Sequence, residues 1–270
     1  MEEKKIVTLR GADNSVINME IHKDLPSVTR LAREYARNGY PDRYVVFSDG
    51  KKRRKSTGKR GTESYVEPGM YMACILRPSI FPSQAPLLAA MSATAMAIAL
   101  EEHTTKQIGI GWVSGIYCDG VRIGDVSIEG KLDGFTTYEY IIITFATKLD
   151  QSSFPPRLTD MIRKVFESEN TSISMIIARN VLSKFFKLYP TVKTSKRFMD
   201  TYSKKFIMRG KTVKVTTGTK KSSCKVLGVD PKNCALIVEG KHGNVEEIFS
   251  PSSVSIPRRI RPIKMRSENE

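Results

Sequence analysis

The sequence is poor in the residues that build metal centres and disulfide frameworks. It has four cysteines in 270 residues, Cys74, Cys118, Cys224 and Cys234, and no Cys-x-x-Cys pair. Its three histidines are His22, His103 and His242, so neither a Cys/His zinc site nor a disulfide scaffold is expected, and no metal ligands are assigned. A reducing cytoplasmic location fits that usage. No run of roughly 18 apolar residues is present, so no membrane span is expected. The apolar stretch Ala85 to Leu100 is Ala/Met-rich, is interrupted by Ser92 and Thr94, and reads as a buried helix. The first residues are charged and lack the apolar core of a signal peptide. Helix-turn-helix and zinc-finger signatures are also missing, which argues against sequence-specific DNA reading.

Positive charge, by contrast, is abundant. Lys and Arg number 44 against 28 Asp and Glu, giving a formal net charge of +16. Lys51-Lys52-Arg53-Arg54-Lys55, with Lys59 and Arg60, forms one acid-free cluster. Between Lys184 and Lys225 there are thirteen basic residues and one acid, Asp200. Arg258, Arg259, Arg261, Lys264 and Arg266 form a basic tail. Three such clusters suit a polyanion, RNA or DNA backbone foremost. The candidate contacts are Lys51, Lys52, Arg53, Arg54, Lys55, Lys196, Arg197, Lys204, Lys205, Lys220 and Lys221. Phe185, Phe186, Tyr189, Phe198, Tyr202 and Phe206 interleave with the second cluster. At helical spacing most of them face the core, which leaves backbone contact rather than base stacking.

Pattern and punctuation give an α+β chain with a mostly antiparallel sheet and packed helices. Ile6 to Leu9 and Val16 to Ile21 alternate as strands around a turn at Gly11 to Asn14. Ser27 reads as the N-cap of a helix through Arg37 that Asn38-Gly39 ends. Tyr44 to Phe47 is a short strand, and Asp49 to Glu63 reads as a loop too polar to pack. Met70 to Leu76 is a buried strand. Ser83 caps a long helix with Pro86 in its first turn. Strands follow at Gln107 to Trp112, Ile116 to Cys118, Arg122 to Glu129 and Tyr138 to Thr147. Helices are expected at Leu158 to Phe166, Ile173 to Tyr189 and Ser195 to Phe206. Beyond Arg209, four short strands and tight turns suggest a small β-barrel. The expected division is therefore 1–208 and 209–270.

In this order of segments the chain resembles the biotin protein ligase family of the class II synthetase-like biotin/lipoate ligase fold. The likeness rests on Gly69-Met-Tyr-Met-Ala-Cys-Ile-Leu-Arg-Pro78, Ala85-Pro-Leu-Leu88 with the Ala-rich helix, Trp112 with Ile116-Tyr-Cys-Asp-Gly120, and Phe154-Pro155. It spans about Leu25 to Ile256, and the terminal unit resembles the family's SH3-like barrel. The N-terminal helix-turn-helix of the repressor-type members is not seen here.

The resemblance implies formation of biotinyl-adenylate from biotin and ATP with Mg2+, followed by acylation of a carrier-protein lysine. Some family members also dimerise. The family's adenylate loop is partly kept as Thr57-Gly58-Lys59-Arg60-Gly61, so Gly58, Lys59, Arg60 and Gly61 are candidate ligand contacts, with Ser27 at the first helix and Trp112 on a ligand wall. Arg122 stands where the family has its catalytic lysine and is the candidate catalytic cation. The remaining site motifs differ. Gly111, Val113, Ser114 and Gly115 replace a lysine, proline, asparagine and aspartate. Asp125 replaces a glycine, and Thr144-Phe145-Ala146-Thr147-Lys148 replaces Gly-x-Gly-x-Asn, with Thr144 and Phe145 expected to fill the space. Framework kept and site altered points to a ligase-like protein that is catalytically degenerate and works by binding nucleic acid or a protein partner. The alternative is a divergent active ligase acting on a biotin carrier protein.

Overall fold

The structure is a computed structural model that describes residues 5–11, 14–56, 62–134, 136–149, 172–194 and 197–260. β1 (Lys5–Arg10) and β2 (Val16–His22) form the expected antiparallel hairpin. α1 (Val28–Arg37) starts at Ser27, whose hydroxyl accepts a hydrogen bond from the Arg30 amide at 3.2 Å. Gly39 follows the helix at φ +79°, a conformation that glycine adopts without a Cβ penalty. Val28, Ala32, Tyr35 and Ala36 form the helix's buried stripe.

The described part of residues 49–63 departs from expectation. It is strand: β3 (Tyr44–Ser56) runs on through the basic cluster and pairs antiparallel with β4 (Thr62–Leu76), while residues 57–61 lie outside the described residues. Register supplies the reason, because Lys51 lies opposite Glu67 and Lys55 opposite Glu63. Opposite charges across a ladder stabilise strands that composition alone makes unattractive. The long helix α2 (Ala85–Glu101) also differs at its start. A short 3-10 turn, Pro82–Gln84, precedes it, and Ser83 does not cap it. The Gln84 side chain instead accepts from the Phe81 amide at 3.0 Å.

The large sheet has the order β1-β2-β3-β4-β8-β7-β6-β5, with β5 (Ile108–Gly111), β6 (Gly115–Cys118), β7 (Val121–Leu132) and β8 (Tyr138–Lys148). Only β2 and β3 pair in parallel, and α1 provides the crossover that such a pair requires. On one face the sheet packs against α2 and α3 (Ile173–Leu188). The span Pro82–Glu101 is long and apolar enough to cross a membrane by length and composition, but it lies in this core, with twelve residues of α2 buried. The other face carries a smaller core under α1. α4 (Thr191–Thr194) and α5 (Phe198–Lys205) lead to the C-terminal unit. The expected helix at 158–166 lies outside the described residues.

The C-terminal strands are β9 (Thr212–Thr217), β10 (Lys220–Val229), β11 (Leu236–Glu239), β12 (Val245–Ile248) and β13 (Val254–Ser255). Their order is β12-β11-β10-β9-β13. This is an open antiparallel sheet, since no described pairing joins β12 to β13 and closes a barrel. Its inner side chains, including Val213, Val215, Cys224, Val226 and Leu236, belong to the same apolar cluster as the large sheet and α2.

Candidate functional site

Strand alternation places a charged cluster on the α1 face of the large sheet. Tyr71 of β4 opposes Ala146 of β8, which opposes Asp125 of β7. Glu67 lies four residues before Tyr71 on β4. It is clasped by Lys148 at 2.5 Å and by Arg53, whose Nη2 is 2.9 Å away, and the Tyr71 hydroxyl donates to it at 3.3 Å. Burial pushes the Glu67 carboxyl up, but Lys148 and Arg53 outweigh it and hold the group below the usual carboxylate range. The Lys51 ammonium sits over the Tyr71 ring, 5.8 Å from its centroid. Burial, reinforced by neighbouring Arg53, lowers its pKa against the pull of Glu67 and Asp125.

Arg122 and Asp125 form an ion pair at 3.5 Å on β7. Close by, the Tyr117 ring occupies the space beside Gly111, where an added Cβ would lie 2.7 Å from it, and the Tyr117 hydroxyl donates to the Pro257 carbonyl at 2.8 Å. Thr144 points towards α1, its hydroxyl 2.8 Å from that of Thr29. Phe145 does not fill this face, contrary to expectation. Alternation turns it to the opposite side, where it packs edge-on against Phe185 in the main core. Further along the same face, Arg33, Arg37, Glu129, Gly130, Lys131 and Tyr140 line an open cleft of about 480 Å³. There Arg33 is bound at both nitrogens by Glu129, at 2.7 Å each.

Other expected site residues fall elsewhere. Trp112 is 2% exposed, and its indole N–H donates to the Cys234 carbonyl at 2.7 Å, so it joins the two sheets from inside the core. The Ser27 hydroxyl is engaged as a helix cap. Gly58, Lys59, Arg60 and Gly61, Lys196, and the side chains of Arg54 and Lys55 lie outside the described residues. Of the basic candidates, Lys52 pairs with Asp24 at 3.1 Å and Lys205 pairs with Glu101. Lys51 and Arg53 belong to the cluster above. Arg197, Lys204, Lys220 and Lys221 are exposed and make no ion pair among the described residues. Phe185, Phe186, Phe198, Tyr202 and Phe206 are buried, which removes them as stacking platforms. Glu67 and Tyr71 escaped sequence reading as site residues because their role depends on the β3–β4 register.

No family model matches the chain. The bifunctional ligase/repressor BirA of Bacillus subtilis (strain 168) is 24% identical over 236 residues, 85% of this chain and 71% of the relative. A mutant of the biotin protein ligase from Aquifex aeolicus, in complex with biotin, has a TM-score of 0.63 at 18% identity, covering 88% of this chain and 97% of that one. The chain is similar to the biotin protein ligases in sequence and in fold. The same Aquifex ligase in complex with biotin and ATP has a TM-score of 0.60 at 18% identity, covering 88% of this chain and 97% of that one. A biotin protein ligase-like protein of unknown function from a Silicibacter species reaches 0.62 at 13% identity, covering 86% and 94%.

Among the described residues, the cations of this face already have partners within the chain. Arg53 and Lys148 are held by Glu67, Arg122 by Asp125, and Lys51 lies over Tyr71. The Asp125 carboxylate beside Arg122 opposes the approach of a phosphate to that cation. No group of three His, Cys, Asp or Glu residues that could hold a metal occurs among the described residues.

Proposed function

We propose that this biotin protein ligase-like protein works by binding a polyanion and not by ligation. The observation that supports this reading is the pairing of Arg122 with Asp125, which sets a carboxylate beside the cation that aligns with the family's catalytic lysine. Transition-state stabilisation of a displaced phosphate needs preorganised, uncommitted positive charge. The cations on the outer C-terminal surface lack such partners, so binding through them is the complementary expectation. We read residues 209–260 as an opened SH3-like unit following a ligase-like unit that ends near residue 208.

The test is incubation with biotin, ATP, Mg2+ and a biotin carrier domain. We expect no carrier acylation, together with salt-dependent retention of RNA or DNA. Robust transfer that Arg122→Ala abolishes would overturn this reading.

A second reading is a divergent active ligase. It is favoured by the exposure of Arg122, 35% at the side chain, and by its loose 3.5 Å contact with Asp125. In that case Arg122, Lys59 and Arg60 hold the phosphates of ATP, and biotin and a carrier-protein lysine are the other substrates. Under either reading a cytoplasmic protein, free or as a homodimer, is expected, with no membrane partner.

A further inference from the structure

The basic residues divide into two classes by what surrounds them. Those of the β3–β4 hairpin are matched by acids or a ring of this chain. Those of the β9–β10 ribbon form no ion pair among the described residues, although Glu239 lies across the ladder from Lys225. Lys214, Lys221 and Lys225 are exposed and form no ion pair among the described residues. All three point to one side. Lys214 opposes Ser223, Lys221 opposes Thr216, and Lys225 opposes Thr212, and directly opposed residues share a face. The alternate residues Val213, Val215, Cys224 and Val226 are buried in the core. That burial pins the register, because a one-residue slip would bury the lysines and expose the valines.

The resulting surface has a regular layout. Along the strand direction Lys221, Lys214 and Lys225 follow one another in steps of two residues, about 6.7 Å each. Lys214 sits on the neighbouring strand, so the three amines make a shallow zigzag. Ser255 of β13 flanks Lys214 on its other side, giving the row Ser255–Lys214–Ser223 across three strands. Lys220, opposite Thr217 at the hairpin end, alternates to the other face of the ribbon and is not part of this row. The nearest acid in the ladder is Glu239 of β11, opposite Lys225, and it marks the limit of the face. None of the described aromatic side chains stands on this ribbon. Lysines spaced like successive phosphates and hydroxyls that can donate to phosphate oxygens are the contacts that position a nucleic-acid backbone without reading bases.

We propose that the outward face of β9–β10, centred on Lys214, Lys221 and Lys225, is a track for the sugar–phosphate backbone of a single-stranded nucleic acid. A single strand fits because the amines lie on one line along a ribbon and do not bracket a groove between two backbones. This inference rests on the polyanion-binding reading above and narrows it to one surface and one ligand class.

The test is fluorescence anisotropy of a labelled oligo-uridine with the full chain, from about 50 to 200 mM salt. Two variants accompany the native protein. One carries Lys214→Gln, Lys221→Gln and Lys225→Gln together; the other carries Arg30→Gln and Lys241→Gln, two exposed cations away from the ribbon. Because all five positions are exposed, unchanged thermal melting is expected and is checked first. Three phosphate contacts on a single strand contribute a slope of about −2 in log K against log salt. The triple variant is expected to lose that much slope and to weaken binding at least tenfold, while the double variant changes little. Native binding left intact in the triple variant would overturn the assignment of the surface and leave the broader reading standing. Absence of native binding at low salt to oligo-uridine and to a duplex alike would overturn both. Preference for a duplex, or retention on phosphatidylserine vesicles without oligo-uridine binding, would overturn the single-strand assignment.

Discussion

The indole nitrogen of Trp112 lies 2.7 Å from the carbonyl oxygen of Cys234, a hydrogen bond that joins the end of β5 to the C-terminal sheet. The ring is buried, and the Trp112 amide also faces the Met208 sulfur at 3.2 Å. Trp112→Phe keeps an aromatic ring but leaves the carbonyl without this donor, at a cost of about 1–3 kcal/mol. Trp112→Ala adds a cavity and is expected to cost about 3–5 kcal/mol. Chemical denaturation followed by circular dichroism reads both. Equal stability of native and Phe proteins would show that the hydrogen bond contributes nothing.

Glu67 makes the stability of the β3–β4 hairpin depend on acid. Its pKa is lower in the folded chain than in the unfolded one, so its stabilisation is complete above about pH 4.3 and is lost as pH falls through the folded value. Glu67→Gln is expected to melt about 2–4 °C below the native protein at neutral pH, for about 1 kcal/mol lost. The gap should close as pH falls through the folded value, below the usual carboxylate range. A gap that persists in acid would assign the effect to packing.

Asp125→Ala removes the carboxylate that faces Arg122 and leaves the guanidinium free. If that pairing keeps anions away, isothermal titration with ATP should show at least about tenfold tighter binding in the variant, corresponding to about 1.4 kcal/mol. Unchanged affinity would show that the pairing does not keep anions away.

Glu20 is fully buried, and its carboxylate accepts from Tyr44 at 2.7 Å, Tyr35 at 2.9 Å and His22 at 2.9 Å. These contacts tie β2, β3 and α1 together. Tyr44→Phe removes one charge-assisted bond and is expected to cost about 1.5–3 kcal/mol, read from the denaturation midpoint. The phenol is itself held above its ordinary pKa, by burial first and then by Glu20, so it remains a donor through the physiological range. A loss below about 0.5 kcal/mol would mean that the remaining donors compensate fully.

Local pattern carried much of the fold. The β1–β2 alternation, the Ser27 cap with Gly39 beyond the helix, the apolar circumference of α2 and the C-terminal strands each arise from neighbours in sequence, where periodicity and capping act. The order of these segments also carried the likeness to biotin protein ligases. The strand character of residues 49–56 is not legible in the sequence because polar, basic composition argues for a loop until the cross-strand partners on β4 are known. Ser83 misled for a related reason, since a 3-10 turn anchored by Gln84 displaced the expected cap.

The sequence by itself determined the excess of positive charge and an order of segments that resembles the biotin protein ligases. Tertiary structure alone decided which cations are committed. Lys148 and Arg53 meet at Glu67, and Arg122 meets Asp125, because sheet order and register bring them within ion-pair distance. Lys214, Lys221 and Lys225 look no different in composition. They are left without ion pairs because buried valines on the other side of the same strands turn them outward. Charge is counted along the chain, but its availability depends on which opposite charge the fold places within a few ångströms.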